Sequence, residues 1–272
     1  MRKNDFVSSI EDQTKIKLID SHAHLELEPL HAQVPAVISR AKDAGLIAIV
    51  TVGIDLKDAK EALKIAEQYD IVYAAIGFHP HNSKGVRDDD LAEMEELCKN
   101  PKVVGYGEIG LDFFRNLSPL DIQLRVFEDQ IKLAKKIFKP IIVHLRDAYK
   151  RGLTILEKHA PYPAGGAIHC FSGNGQDAQR SVDLGFNISI PGTVTYKKND
   201  ELRSVVVDIP DKRILIETDC PFLPPEPYRG KDNEPAYIVH TARKIAEIRG
   251  VEFATIAHLT SQNAIRLFNL PL

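Results

Sequence analysis

The chain has 272 residues, 44% of them apolar and 27% charged, which supports one large core and argues against a membrane-embedded protein. Thirty-five Lys and Arg stand against 38 Asp and Glu, a net charge of −3. That excludes a polybasic nucleic-acid binder working by bulk attraction and leaves room for a local basic rim around one cleft.

Residues 1–15 are polar, lack the apolar segment of a signal peptide and read as a flexible arm ahead of the fold. Residues 16–272 read as one domain. No apolar run reaches the length of a membrane span; the best is Leu46–Val50, extended loosely to Ile54. From Ile16 onward short β-branched runs alternate with longer amphipathic stretches. Strands are predicted at Ile16–Ser21, Leu46–Gly53, Ile71–Gly77, Val103–Glu108, Pro140–His144, Gly166–His169, Phe186–Ile190 and Arg213–Thr218. Helices are predicted at Leu56–Tyr69, Leu91–Lys99, Pro119–Phe138, Arg146–His159, Gln176–Leu184 and Pro235–Arg249, with a final pair near Glu252–His258 and Ser261–Phe268.

The strand ends fall roughly 21 to 36 residues apart, the spacing of βα units. Eight such units with no antiparallel block predict an α/β fold, a single-domain (β/α)8 TIM barrel. An open doubly wound sheet is the competing architecture, but no GxGxxG follows the first strand.

The chemistry gathers at the strand ends. Asp20-Ser21-His22-Ala23-His24 closes the first strand, and in an extended segment residues i and i+2 point to one side, so both imidazoles can reach one metal. Glu108, His144, His169 and Asp219 likewise interrupt apolar runs at their C-terminal ends. In a barrel these ends converge on one mouth. Six N and O groups exceed the four of a tetrahedral ion, and a two-metal site with a bridging carboxylate accounts for the number. An imidazole-rich set suits Zn²⁺, Mn²⁺, Co²⁺ or Ni²⁺ on softness grounds.

Seven blocks carry a resemblance: Asp-Ser-His-Ala-His (20–24), Gly-Phe-His-Pro-His (77–81), Gly-Glu-Ile-Gly-Leu-Asp (107–112), Val-His-Leu-Arg-Asp-Ala (143–148), Ile-His-Cys-Phe-Ser-Gly (168–173), Glu-Thr-Asp-Cys-Pro-Phe-Leu (217–223) and Tyr-Arg-Gly-Lys-Asp-Asn-Glu-Pro (228–235). In this order they resemble the TatD family of metal-dependent DNases, within the amidohydrolase superfamily. The resemblance implies that His22, His24 and Asp219 hold one divalent ion, His144 and His169 another, and Glu108 bridges them. It also implies magnesium dependence and activity as a deoxyribonuclease, a 3′–5′ exonuclease on single-stranded or frayed DNA ends. The expected mechanism is phosphodiester hydrolysis by a metal-activated hydroxide, with Asp219 orienting or deprotonating the water.

Around this set, His79 is expected to touch the scissile phosphate or leaving group, against the alternative of a loop-packing ring. Arg146 and Arg229 are candidates for substrate phosphate, each against a structural role, with Asp147 placed to cap the next helix. Phe113, Phe114, Phe171, Tyr196 and Tyr228 lie on the same loops and can stack bases or simply pack. Alternation is expected to turn Cys170 and Cys220 away from the mouth as small buried side chains. The three cysteines, Cys98 included, lack a CxxC and point to a reducing, cytoplasmic compartment. Without a long apolar helix face the chain reads as a monomer. The competing functions are an esterase on the same metals, such as a D-aminoacyl-tRNA deacylase, and a metal-carrying scaffold that binds nucleic acid without cutting.

Overall fold

The computed structural model describes residues 16–272; the arm expected over residues 1–15 lies outside the described residues. Eight parallel strands, β1 (Leu18–Ala23), β2 (Leu46–Gly53), β3 (Val72–Ile76), β4 (Val103–Asp112), β5 (Ile141–Arg146), β6 (Gly166–Ile168), β7 (Asn187–Ile190) and β8 (Ile214–Ile216), pair in chain order. The seam between β8 and β1 is joined just past the strand ends, where Asp219 N donates to His22 O at 2.9 Å and His24 N to Cys220 O at 2.8 Å. The result is the (β/α)8 barrel expected from the spacing.

The helices are α1 (Val34–Asp43), α2 (Leu56–Gln68), α3 (Asp88–Leu97), α4 (Leu120–Lys136), α5 (Tyr149–His159), α6 (Gly175–Asp183), α7 (Asp200–Asp208), α8 (Ile238–Arg249) and α9 (Phe253–Phe268). Local chemistry sets their ends: the Asp55 side chain accepts Asp58 N at 2.9 Å to start α2, and Gly250, at φ 64°, stops α8. Among the described residues no helix is long and apolar enough to cross a membrane.

Period-two strands divide the core in two. Outward residues such as Leu18, Ile49, Val72 and Ile76 pack against the helices. Inward residues, many of them small, fill the barrel: Ile19, Ala48, Val50, Ala75 and Ala167, closed from below by Phe268 and Leu270 at the end of α9.

Four element assignments differ from expectation. Two helices, α1 and α7, fall where the sequence pattern predicts none. Pro35 looks like a helix breaker but sits in the first turn of α1, where its missing N–H is not needed. The β-branched run Val205–Val207 looks like a strand, yet Leu202, Val205 and Val206 bury one helical face. The final helical pair is one continuous helix, α9. Strand β4 continues four residues past Glu108, through Gly110, which reads as a terminator in sequence.

Candidate metal centre

All six residues expected at the mouth meet there. Glu108 stands in the middle with its two oxygens facing different groups. Its Oε2 lies 3.4 Å from His22 Nε2 and 3.9 Å from His24 Nε2. Its Oε1 lies 2.5 Å from His144 Nδ1 and 3.3 Å from His169 Nε2. Asp219 Oδ1 is 3.5 Å from His24 Nε2, 3.9 Å from His22 Nε2 and 4.0 Å from His169 Nε2. The His22 and His169 rings stack at 3.6 Å between centroids. All of these side chains are buried except that of His144, which is partly exposed.

Outside this cluster a second layer of carboxylates lies against the rings. His24 Nδ1 is 2.8 Å from the carbonyl of Val52 and 3.1 Å from Glu26 Oε1. A carbonyl only accepts, so Nδ1 carries a proton and Nε2 is the nitrogen turned toward the cluster. Thr51 Oγ1 donates to Glu26 Oε2 at 2.6 Å and holds that carboxylate in place. Glu217 Oε1 lies 3.0 Å from His169 Nδ1 and accepts Cys170 N at 2.7 Å. Asp112 Oδ2 lies 3.3 Å from His144 Nε2 and 2.8 Å from His81 Nε2. Glu26, Glu217 and Asp112 are site residues that the motif reading does not single out; the signal is their position two to four residues from His24, Asp219 and Glu108.

Ligand-type atoms converge here: His22 Nε2 faces His24 Nε2 at 3.2 Å, and the buried Nδ1 atoms of His22 and His169 have no hydrogen-bond partner of good geometry. The donor set fits divalent cations, and three-residue groupings such as His22/His24/Asp219 and His22/Glu108/His169 each bring ligand atoms within 4.8 Å of one another. In the protein alone, protons do this balancing. Burial lowers the His24 pKa, but hydrogen bonds to Asp219 and Glu26 outweigh it and hold the ring well above the ordinary histidine value. Burial is likewise outweighed at His169, where Glu217 and Glu108 push the pKa to about 9. Burial raises Glu108, yet the charge of His169 and the charge and hydrogen bond of His144 bring it well below the usual carboxylate range. Asp219 is lowered in the same way: burial opposes, and the hydrogen bond to His24 and the charges of His169 and His22 prevail.

His79 faces the same cluster, its Nε2 3.5 Å from Glu108 Oε1. Arg146 lines the mouth and lays its guanidinium 4.1 Å over the Phe114 ring. Arg229 stacks 4.3 Å over Tyr196 and is 4.0 Å from Glu226; it stands on the loop after β8, outside the cavity wall. Asp147 does not cap α5: the N-cap is Ala148 with no side-chain bond, and Asp147 is exposed at φ 53°. Cys170 corrects the alternation argument. Strand β6 ends at Ile168, and Cys170 at φ 45° turns to line the cavity, half-buried. Cys220 is fully buried, as expected. Of the candidate stacking rings, Phe171 is buried, Phe113 packs on the core and Tyr228 stacks on Tyr237, leaving Phe114 the most exposed. Lys102, the lysine just before β4, bonds backbone carbonyls of residues 69, 70 and 72 at the opposite end of the barrel from Glu108.

A cavity of about 280 Å³ opens from His144, His169 and Asp219 toward Ser172, Thr193 and Asn199. The sequence pattern of the family described as TatD related DNase matches residues 19–269. The chain is 44% identical over 253 residues to an uncharacterized metal-dependent hydrolase, YabD, of Bacillus subtilis, covering 93% of this chain and 99% of that one. It is 36% identical over 239 residues to the 3′-5′ ssDNA/RNA exonuclease TatD of Shigella flexneri, covering 86% and 92% of the two chains. Its fold is similar to the crystal structure of YjjV, a TatD homolog from Escherichia coli, with a TM-score of 0.89, 32% identity and coverage of 93% and 98%.

Proposed function

We propose, from the premise that the chain belongs to the TatD-related DNases and is a metal-dependent hydrolase, that it removes nucleotides from the 3′ end of single-stranded or frayed DNA. One observation carries this most: the two oxygens of Glu108 face two separate sets of imidazoles. That arrangement suits a carboxylate bridging two divalent ions, with His22, His24 and Asp219 holding one and His144 and His169 the other. The 3′ polarity is supported by relatives named 3′-5′ exonucleases.

Bound in this position, two divalent ions supply Lewis acidity to a phosphoryl oxygen and make water a stronger acid. Asp219 is held ionised by its contacts to His24, His169 and His22, which equips it to orient the attacking water and take its proton. His79 presents a ring N–H toward the place where charge develops on the phosphoryl group. Arg146 and Arg229 supply planar forks for flanking phosphates.

Digestion of end-labelled oligonucleotides with a panel of divalent ions, and chelator as control, tests metal dependence and polarity together. Stepwise shortening from the 3′ end is expected, abolished by chelator. Asp219→Asn is expected to lose most turnover with its circular dichroism unchanged; full activity in that variant with metal bound would remove the general-base role.

A further inference from the structure

Beside the mouth, past Arg146, a second open depression of about 340 Å³ lies between the loop after β4 and the first turns of α5. Its walls include Phe113, Asp147, Lys150, Arg151 and Thr154. It adjoins the metal-side cavity through consecutive residues, Arg146 lining the one and Asp147 the other. At the join the Arg146 guanidinium covers part of Phe114, whose ring is nevertheless 60% exposed.

The cations here lack partners. Several others on the outer helices are matched at home: Lys132 by Asp129, Lys136 by Glu95, Lys158 by Glu128 and Arg180 by Glu157. Among the described residues, neither Arg146 nor Lys150 nor Arg151 has a carboxylate oxygen within 4.0 Å. Two cations, Lys150 and Arg151, share the depression with one acid, Asp147, and Arg146 stands at its edge. Unpaired cations in a row, starting at an exposed aromatic ring, match a chain that alternates phosphates and π-faces.

We propose that this depression holds the substrate strand on the 5′ side of the scissile phosphate: a single-stranded nucleic acid leaves the metal centre over Arg146 and Phe114 and runs along Lys150 and Arg151. The inference rests on the nuclease reading and adds to it a track that only a strand longer than a dinucleotide can reach. Affinity therefore grows with strand length on this enzyme, while the chemistry at the metals does not depend on the track.

The test compares a dinucleotide with a twelve-nucleotide strand on manganese-loaded wild type, Lys150→Ala/Arg151→Ala and the charge-keeping Lys150→Arg/Arg151→Lys. For the alanine pair KM on the long strand is expected to rise about tenfold, and the log–log salt slope of binding to become shallower by about 1.4, at about 0.7 per lost phosphate contact. Dinucleotide kcat/KM should stay at the wild-type value, and the charge-keeping pair should restore long-strand KM. An unchanged KM on the long strand overturns the track, as does an equal loss on both substrates, which would place these residues at the metal centre instead. Wild type inert on both substrates would remove the nuclease reading itself, a result distinct from either.

Discussion

At His79 a backbone contact decides what the side chain can do. Its Nδ1 accepts the amide of His81 at 3.0 Å, so in the neutral ring the proton sits on Nε2, facing Glu108. Burial, outweighing the pull of Glu108, lowers its pKa to about 4, and the ring is neutral at pH 7. A neutral ring with its proton aimed into the site is suited to donate rather than to coordinate, although His79 also lies within reach of a group with Glu108 and His144. His79→Ala should therefore lower kcat about a hundredfold, the usual cost of one donor to a developing oxyanion, with bound metal unchanged by elemental analysis; His144→Ala should lose metal. Equal metal loss in both variants would make His79 a ligand. His169 behaves in the opposite sense. At a pKa of about 9 it holds a proton at pH 7 that a metal must displace, and this competition fades as pH rises. Metal affinity should climb about tenfold per pH unit between pH 7 and about 9 and then flatten. Calorimetry in buffers of different ionisation enthalpy should count at least one proton released at pH 7 and fewer above pH 9.

Strands β4 and β5 carry Glu108 and His144 side by side, and their register depends on a missing side chain. A methyl group on Gly110 would lie 2.0 Å from the carbonyl oxygen of His144, at a φ of +147° that other residues rarely adopt. Gly110→Ala combines overpacking with backbone strain, about 2–6 kcal/mol together, and urea unfolding should show it along with weakened metal binding. This pairing also shows where sequence reading runs out. The strands and the six residues at their ends follow from apolar runs that stop on a polar side chain, a pattern local to each strand. Asp112 reaches His144 only across the β4–β5 pairing, through a stretch whose glycines disguise it as a loop. Glu26 and Glu217 gain meaning only once their histidines are known to turn Nδ1 outward. Cys170 departs from alternation because its backbone is left-handed, and no neighbouring residue type announces that.

Across the whole molecule a net charge of −3 conceals an uneven distribution: many ion pairs on the outer helices, buried carboxylates and imidazoles at the centre, and unpaired cations beside it as elsewhere on the surface. The central acids Glu26, Glu108, Glu217 and Asp219 have to be balanced by something positive. Without metal the balance falls to protonated rings, and its pH dependence has a definite sign. His169 is raised from 6.5 to about 9, so its stabilising proton is fully present below pH 6.5 in both senses of the linkage and is lost as pH rises toward 9. Divalent ions bound only by the folded chain take over that role, and at a free concentration a thousand times their Kd they contribute about 4 kcal/mol. For a chain of this size that is roughly 8–16 °C in Tm. Differential scanning calorimetry of metal-loaded and chelator-treated protein should find this gap, widening from pH 6.5 to 9 as the metal-free form loses its substitute charge. A gap that narrows over that range would mean that the central carboxylates are balanced by groups other than these histidines.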